Sequence, residues 1–388
     1  MDERAGLILT GGGARAAYQV GVLKAIAELL PRHAHNPFPV ICGTSAGALN
    51  AATIAVNAQN FHKGVRYLNN IWKNFHANHI YRTDVIGVFN NTMLWLAGLI
   101  LSGLGINRLR QVSLLDNSPL AELLEDILPC EKIQPHIDAG RLRALSITAS
   151  GYSSGQSVTF YQGVSEILPW RRTRRVGVPT RIDTRHLLAS SALPFIFPAA
   201  LINREYFGDG SMRQIAPISS ALHLGATRIL VVGSTNDDIE QARHPEASEY
   251  PTLAQIAGHA LNSLFLDSME VDLERVQTVN RLVAMMPEET HQRTGLQHVE
   301  MLVISPSESI DKIAARHAAD LPWTIRLLLR LVGAGQPSSS GTLLSFLLSE
   351  KKYCSALIDL GYRDAMKRRD EIVRFLNLPS HRDEGLPQ

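Results

Sequence analysis

The chain has 388 residues, of which 45% are hydrophobic and 19% are charged, and its formal net charge is +2. This composition predicts a globular protein with a large core and excludes an intrinsically disordered chain. So small a net charge gives no reason to expect a nucleic-acid partner. The three cysteines, Cys42, Cys130 and Cys354, are odd in number and widely spaced, so we expect neither a disulfide framework nor a metal site.

The N-terminus does not have the pattern of a signal peptide, because Asp2 and Glu3 precede a very short apolar run that leads directly into glycines. The longest apolar stretch, residues 93–106, is interrupted by glycines and is shorter than the about 20 residues that span a bilayer. We therefore expect a cytoplasmic protein, and one that can touch a membrane surface without crossing it.

Short apolar runs alternate with helical patterns over the first two-thirds of the chain. Buried strands are predicted at residues 7–9, 40–42, 142–149, 228–232 and 299–304. Helical spacing follows the first two strands, over residues 20–30, where Pro31 ends the pattern, and over residues 46–56. Strands that alternate with helices predict an α/β fold class, with a mostly parallel central sheet and helices on both faces.

Two regions depart from this alternation. Residues from about 60 to 135 have helical patterns around a glycine-interrupted apolar centre, which predicts a helical insert or lid. From about Pro306 onward the pattern is again helical, with a Gly/Pro/Ser-rich hinge at residues 333–341. We expect an α/β domain over residues 1–310 and a helical C-terminal extension over residues 311–388.

The segment Gly43-Thr44-Ser45-Ala46-Gly47 lies between a predicted buried strand and an alanine-rich helix, which is the context of a nucleophile elbow. A sharp strand-to-helix turn strains the serine backbone, and only small residues such as Gly43 and Gly47 tolerate the close approach of the chain. The alternative interpretation is an ordinary tight turn, but the strand and helix around the motif favour a nucleophilic Ser45.

A second motif, Gly11-Gly12-Gly13-Ala14-Arg15, follows the first strand and opens the first helix. Consecutive amides without side chains at a helix N-terminus bind anions. Nucleotide binding is the alternative, but Ala16 occupies the last glycine position of that fingerprint and no Gly-Lys-Ser/Thr follows. Because adjacent parallel strands would bring this loop beside Ser45, we favour an oxyanion hole.

The candidate base for such a serine is an acid. Histidines late in the chain, His298 and His317, lie in strand and helix patterns and are interpreted as ordinary surface or core residues. Asp209 stands between glycines in Phe207-Gly208-Asp209-Gly210-Ser211, after an aromatic-rich strand. An Asp-Gly pair alone is usually only a turn.

Taken in order, these motifs resemble those of the patatin-like phospholipase family. The similarity covers roughly residues 5–235 and rests on the glycine loop, the elbow, Asp209-Gly210, and the segment from Leu187 to Pro194 with Phe197-Pro198. The resemblance implies that Ser45 is the nucleophile and Asp209 its base. It also implies an oxyanion hole made by Gly11, Gly12 and Gly13, with Arg15 beside them. The family usually has glycine at position 16 and glycine or alanine at position 211, and the Ser211 found here could hydrogen-bond Asp209 and lower its basicity.

The resemblance implies a serine lipid-acyl hydrolase of the phospholipase A or lysophospholipase type, acting on a phospholipid or other lipid ester through an acyl-enzyme. It needs no cofactor or metal. Two alternatives stay open, namely a transacylase with the same dyad and a weakly active lipid-binding regulatory protein. For membrane contact, two apolar helical segments are candidates, one around Trp95 and Leu96 and one around Trp323 and Leu327, although buried core helices would have the same pattern.

Overall fold

The computed structural model describes residues 3–82, 84, 93, 113–234, 253–265, 267–287, 296–331 and 341–379. Within these ranges the strands are β1 (Ala5–Leu9), β2 (Val40–Thr44), β3 (Ala144–Gly151), β4 (Ser157–Gly163), β5 (Trp170–Arg172), β6 (Arg175–Pro179), β7 (Ala200–Ile202), β8 (Glu205–Asp209), β9 (Arg228–Val232) and β10 (Glu300–Ile304). The five strands predicted from the apolar runs are confirmed as β1, β2, β3, β9 and β10.

The helices of the described ranges flank and follow these strands. They are α1 (Ala17–Leu29), α2 (Ala46–Val56), α3 (Phe61–Lys73), α4 (Ser118–Ile127), α5 (Ile133–Asp138), α6 (Thr184–Ser190), α7 (Pro217–His223), α8 (Leu253–Phe265), α9 (Asp267–Met285), α10 (Ile310–Arg316), α11 (Trp323–Leu331), α12 (Gly341–Leu347), α13 (Lys351–Lys367) and α14 (Arg369–Phe375). Short 3-10 helices include Gly13–Ala16 and Gly210–Arg213.

All the described strands belong to one mixed sheet, with the order β10-β9-β1-β2-β3-β4-β6-β5 and with β8 joining β3 to β7. The five strands from β10 to β3 run parallel, and β4, β5 and β8 introduce antiparallel pairs. Every residue of β1 and β2 is buried, as expected for central parallel strands that are covered on both faces. The predicted α/β fold class is therefore confirmed.

The C-terminal part of the described chain is helical, as predicted, and packs against the first helix. Tyr18 on α1 donates a hydrogen bond from its hydroxyl to Asp364 on α13 at 3.2 Å, and both side chains are buried. The described part of the predicted insert, between residues 60 and 135, contains α3, α4, the start of α5 and two short 3-10 turns, Ala77–His79 and Cys130–Lys132. Most of residues 83–112 lie outside the described residues. Among the described helices, none is both long and apolar enough to cross a membrane.

Candidate active site

Ser45 stands at the turn between β2 and α2, and its backbone has φ 54° and ψ −131°, a conformation that L-residues rarely adopt. The turn brings α2 very close to the end of β1. A β-carbon on Gly47 would lie 2.2 Å from the carbonyl oxygen of Leu9, and one on Gly43 would lie 2.6 Å from the α-carbon of Ala48. Only glycine fits at these two positions, which gives the spacing of the sequence motif a steric cause.

The hydroxyl of Ser45 donates a hydrogen bond to Oδ2 of Asp209 at 2.5 Å. The sheet produces this contact, although the two residues are far apart in the chain. Thr44 pairs with Thr148 on β3, and the next residue of β3, Ala149, pairs with Asp209 at the end of β8. Strand β3 therefore carries the acid to the edge of the sheet where the serine turns out of β2.

Asp209 is almost completely buried, and burial raises the pKa of its carboxyl from the ordinary 3.8 to about 6. Hydrogen bonds from the Ser45 hydroxyl and from Ser211 oppose this rise, because they stabilise the charged form. The backbone amide of Ser211 donates to Oδ1 at 2.9 Å, a bond that glycine or alanine would also make at this position. At neutral pH the group is therefore mainly a carboxylate whose basicity exceeds that of an exposed aspartate.

A further serine, Ser190, supports the turn at Ser45 through two hydrogen bonds. The backbone amide of Ser45 donates to the hydroxyl oxygen of Ser190 at 2.8 Å, and the Ser190 hydroxyl donates to the carbonyl of Thr148 at 2.6 Å. Ser190 is fully buried at the end of α6. Ser190 lies in the segment from Leu187 to Pro194 that carries part of the family resemblance, but no role for it was predicted from the sequence.

The glycine loop lies beside Ser45, because β1 and β2 are adjacent and parallel. Gly12 and Gly13 have positive φ values of 150° and 55°. Gly13 and Ala14 line the cavity at Ser45, whereas the carbonyl of Gly11 accepts a hydrogen bond from the Ser234 hydroxyl at 2.9 Å. The amides of Gly13 and Ala14 belong to the first turn of the 3-10 helix, where backbone donors have no acceptor within the helix. Ala14 thus lines the cavity beside Ser45, although only its glycine neighbours were predicted from the sequence to do so.

Arg15 follows Gly13 and Ala14 in the chain, but it is not among the described residues that line the cavity at Ser45. It is fully buried, and its guanidinium donates to Asp311 at 2.8 Å, to Ser345 at 2.9 Å and to Asn262 at 3.2 Å. The ring of Phe346 lies 4.1 Å from the guanidinium carbon. These contacts join the residue at the end of the glycine loop to α8, α10 and α12, so the guanidinium is held among helices that lie much later in the chain.

The two late histidines lie outside this constellation. His298 precedes β10, so it is at the edge of the sheet where the parallel strands begin, opposite to the edge where β2 ends at Ser45. His317 follows α10, and its Nδ1 lies 3.0 Å from Oδ2 of Asp320. Among the described residues that line the cavity at Ser45, none is a histidine.

An apolar cavity of about 50 Å³ opens at Ser45. Five parts of the chain form its walls: the glycine loop, the elbow with α2, the predicted insert, the segment before Asp209, and the C-terminal helices. Representative residues are Ala14, Leu49, Trp72, Leu193 and Phe346. A β-carbon on Gly13 would lie 2.3 Å from the carbonyl oxygen of Phe346, so α12 packs directly on the glycine loop. The C-terminal region therefore contributes a wall of the candidate site, a role that was not predicted from its helical pattern.

The chain is similar to several known proteins. A segment of 53 residues, 14% of this chain and 3% of the relative, is 51% identical to Lysophospholipase nte1 of Aspergillus terreus. The structure of VipD from Legionella pneumophila matches 95% of this chain and 67% of its own at 11% identity, with a TM-score of 0.37. Human GIVD cytosolic phospholipase A2, solved with methyl γ-linolenyl fluorophosphonate, matches 97% of this chain and 59% of its own at 15% identity, with a TM-score of 0.41.

The matched segment is thus a small part of the fungal relative, and the chain spans about three-fifths to two-thirds of the two solved structures. The family model described as patatin-like phospholipase matches residues 7–222, which is more than half of the chain. This range begins in β1 and includes the glycine loop, the elbow and Asp209. The chain therefore belongs to the patatin-like phospholipase family, a family of carboxylic-ester hydrolases.

Proposed function

We propose that this protein is a serine lipid-acyl hydrolase of the phospholipase A or lysophospholipase type, with Ser45 as the nucleophile and Asp209 as its base. The observation that carries the proposal is the 2.5 Å hydrogen bond from the Ser45 hydroxyl to Asp209, buried at the end of an apolar cavity. A nucleophile and base within hydrogen-bond reach are the geometric requirement for covalent acyl transfer.

In the proposed reaction, Oγ of Ser45 attacks the ester carbonyl carbon while Asp209 takes the hydroxyl proton. The oxyanion is stabilised by backbone amides of the glycine loop, of which Gly13 and Ala14 line the cavity. Collapse of the intermediate breaks the ester bond, and the leaving alcohol takes the proton from Asp209. Water then attacks the acyl-enzyme and gives a proton to Asp209, and Ser45 recovers that proton as the fatty acid departs.

The environment of Asp209 supports this role. An aspartate with an ordinary pKa is a weak base at neutral pH, whereas burial raises the pKa of Asp209 to about 6. A general base is most effective when its pKa lies near the working pH. The apolar lining of the cavity supports an acyl chain as the group that it receives, because few polar atoms there would interact with a head group.

A fluorophosphonate probe and a panel of lipid esters test the proposal. Intact-mass analysis is expected to find a single adduct, on Ser45, and the wild-type protein is expected to release fatty acid from at least one phospholipid or lysophospholipid. Ser45→Ala should abolish both. Acyl transfer to an added alcohol in place of water would indicate a transacylase. An unlabelled Ser45 with no hydrolysis would indicate a lipid-binding protein and would refute the proposal.

Peripheral contact with a membrane is part of the proposal, and α11 is its candidate surface. Trp323 and Leu327 are one helical turn apart and are 58% and 49% exposed, whereas Ile325 between them is buried. Exposed tryptophan and leucine on one helix face are suited to the membrane interface. Of the other candidate segment, only Met93 lies in the described part of the chain, so Trp95 and Leu96 remain a prediction from sequence.

Liposome co-sedimentation tests this surface with the paired substitutions Trp323→Ser and Leu327→Ser. Membrane binding is expected to fall while a water-soluble ester is still cleaved. Leu201→Ser is a matched control, because Leu201 is 53% exposed but lies on β7. Unchanged sedimentation of the double variant, or an equal loss in the control, would remove α11 from the proposal.

A further inference from the structure

A second and smaller apolar chamber, of about 20 Å³, adjoins the cavity at Ser45 and shares part of its wall. Its wall is mostly aliphatic and includes Leu68 and Ile127. Three side chains line both spaces, namely Leu49, Trp72 and Phe75. These three form a partition between the outer cavity, which contains Ser45, and the inner chamber, which does not.

Trp72 is the member of the partition that is held most firmly. Its indole Nε1 donates to Oδ1 of Asn50 at 2.8 Å, and its ring stacks on Phe75 with centroids 5.2 Å apart. Asn50 donates in turn to Gln19 at 2.8 Å, and Gln19 donates to the carbonyl of Thr10 at 2.8 Å.

These polar groups are buried, so moving the indole aside would leave Asn50 without its donor in a site that water does not reach. The hydrogen-bond chain also ends at Thr10, the residue before the glycine loop. It therefore ties the position of the indole to the oxyanion side of the candidate active site, and Trp72 is a fixed wall.

We propose that Trp72 limits the length of the acyl chain that the site accepts. The proposal rests on the function proposed above, in which the ester carbonyl lies at Ser45 and the acyl chain occupies the outer cavity. Leu49 is four residues after Ser45 on α2, about 6 Å along the helix axis, so the chain meets the partition after a short apolar path. Carbons beyond that point must fold back or remain in water.

The partition produces selectivity because each methylene that moves from water into an apolar site strengthens binding by a factor of about four. A chain that ends at Trp72 obtains this gain for all its carbons. A longer chain obtains none for the carbons beyond the indole. Removing the indole vacates the volume of its ring and joins the two spaces, so the gain extends to further carbons of the longer chain.

The test measures kcat/KM for p-nitrophenyl esters of straight-chain acids from butanoate to hexadecanoate. In Trp72→Ala the optimum is expected to move to longer chains, and the ratio of kcat/KM for hexadecanoate to that for butanoate should rise by about tenfold or more. Ile127→Ala is the matched control, because it enlarges the inner chamber and leaves the partition intact, so its chain-length profile should match the wild type. An unmoved optimum in Trp72→Ala, or an equal shift in Ile127→Ala, overturns the proposal.

A second measurement is independent of catalysis. Calorimetry measures the Kd of hexadecanoate and of butanoate in the Ser45→Ala background, with and without Trp72→Ala. We expect Trp72→Ala to lower the Kd of hexadecanoate about tenfold more than that of butanoate. If the proposed function were wrong, the wild-type protein would fail to hydrolyse esters while this binding difference persisted. If Trp72→Ala does not fold, Leu49→Ala opens the same partition without touching the hydrogen-bond chain, and its optimum must shift in the same direction. If the folded variant has the same optimum chain length as the wild type, the proposal that the partition limits chain length is refuted.

Discussion

The guanidinium of Arg15 lies 2.8 Å from the carboxylate of Asp311, and neither side chain is more than 3% exposed. The two residues are 296 positions apart, so this pair joins the end of the glycine loop to α10. Ser345 on α12 hydrogen-bonds both members, at 2.9 Å in each case. The pair therefore couples the loop beside Ser45 to the C-terminal helices that wall the cavity.

Breaking this pair on one side should be strongly destabilising. Arg15→Met leaves Asp311 buried without its cation, and we expect a loss of about 3–5 kcal/mol in the free energy of unfolding. The double substitution Arg15→Met with Asp311→Leu removes both charges and should lose clearly less than the sum of the single variants. Urea denaturation of the four proteins measures the cycle. Additive losses would mean that the two charges do not depend on each other.

Two substitutions of Ser45 separate the loss of its hydroxyl from the strain in its backbone. Ser45→Ala and Ser45→Gly both remove the hydroxyl, so both should lower kcat/KM by several orders of magnitude. They should differ in stability, because the φ of 54° strains alanine and not glycine. We expect the glycine variant to unfold at higher denaturant, with an advantage of about 1 kcal/mol. Equal stability of the two variants would contradict a strained elbow.

Activity should depend on the carboxylate form of Asp209. Because burial raises its pKa to about 6, kcat/KM is expected to fall about tenfold per pH unit below that value and to level off above it. If the base were an exposed aspartate, the fall in kcat/KM would instead begin near the ordinary pKa of 3.8. A pH profile of a soluble ester measures this acidic limb. The control is His317→Gln. Its pH profile should have the same acidic limb as the wild type, because this histidine is not expected to be the base.

Asp209→Asn should lose activity and gain stability at neutral pH. The folded pKa of about 6 lies above the ordinary value, so the charged carboxylate weakens the folded state at pH values above this range. Asparagine removes that charge, and we expect a gain of about 1–3 kcal/mol at neutral pH that shrinks below about pH 4. Denaturation at the two pH values measures the difference. A variant that is less stable at neutral pH would mean that the lost hydrogen bonds outweigh the buried charge.

The amide of Ala14 should carry part of the catalysis. Ala14→Pro deletes this donor in the first turn of a 3-10 helix, where the N–H has no acceptor within the helix, and we expect a loss of about 10²–10³ in kcat. Ala14→Gly keeps the amide and should retain most of the activity. Thermal unfolding of both variants separates a lost donor from a lost fold. A folded proline variant with normal turnover would assign the oxyanion to other donors.

Much of this molecule can be read from short stretches of sequence. The strands at residues 7–9 and 40–42, the turn at Ser45 and the glycine loop are local features, because apolar periodicity and steric demands act between residues that are near neighbours in the chain. The alternation of these elements is enough to predict a parallel sheet, whose geometry then brings the glycine loop to Ser45.

Other parts of the site depend on contacts between distant segments. The partner of Arg15, the support of the elbow by Ser190, and the wall formed by Phe346 each join residues from separate parts of the chain. Ser211 is a further example. It donates a hydrogen bond to Asp209 from its backbone amide, and this contact does not depend on which side chain occupies the position. Sequence alone determined the class of fold and the residues suited to the chemistry. Only the tertiary structure decided which buried groups meet, because burial and pairing depend on how the sheet and the C-terminal helices pack together.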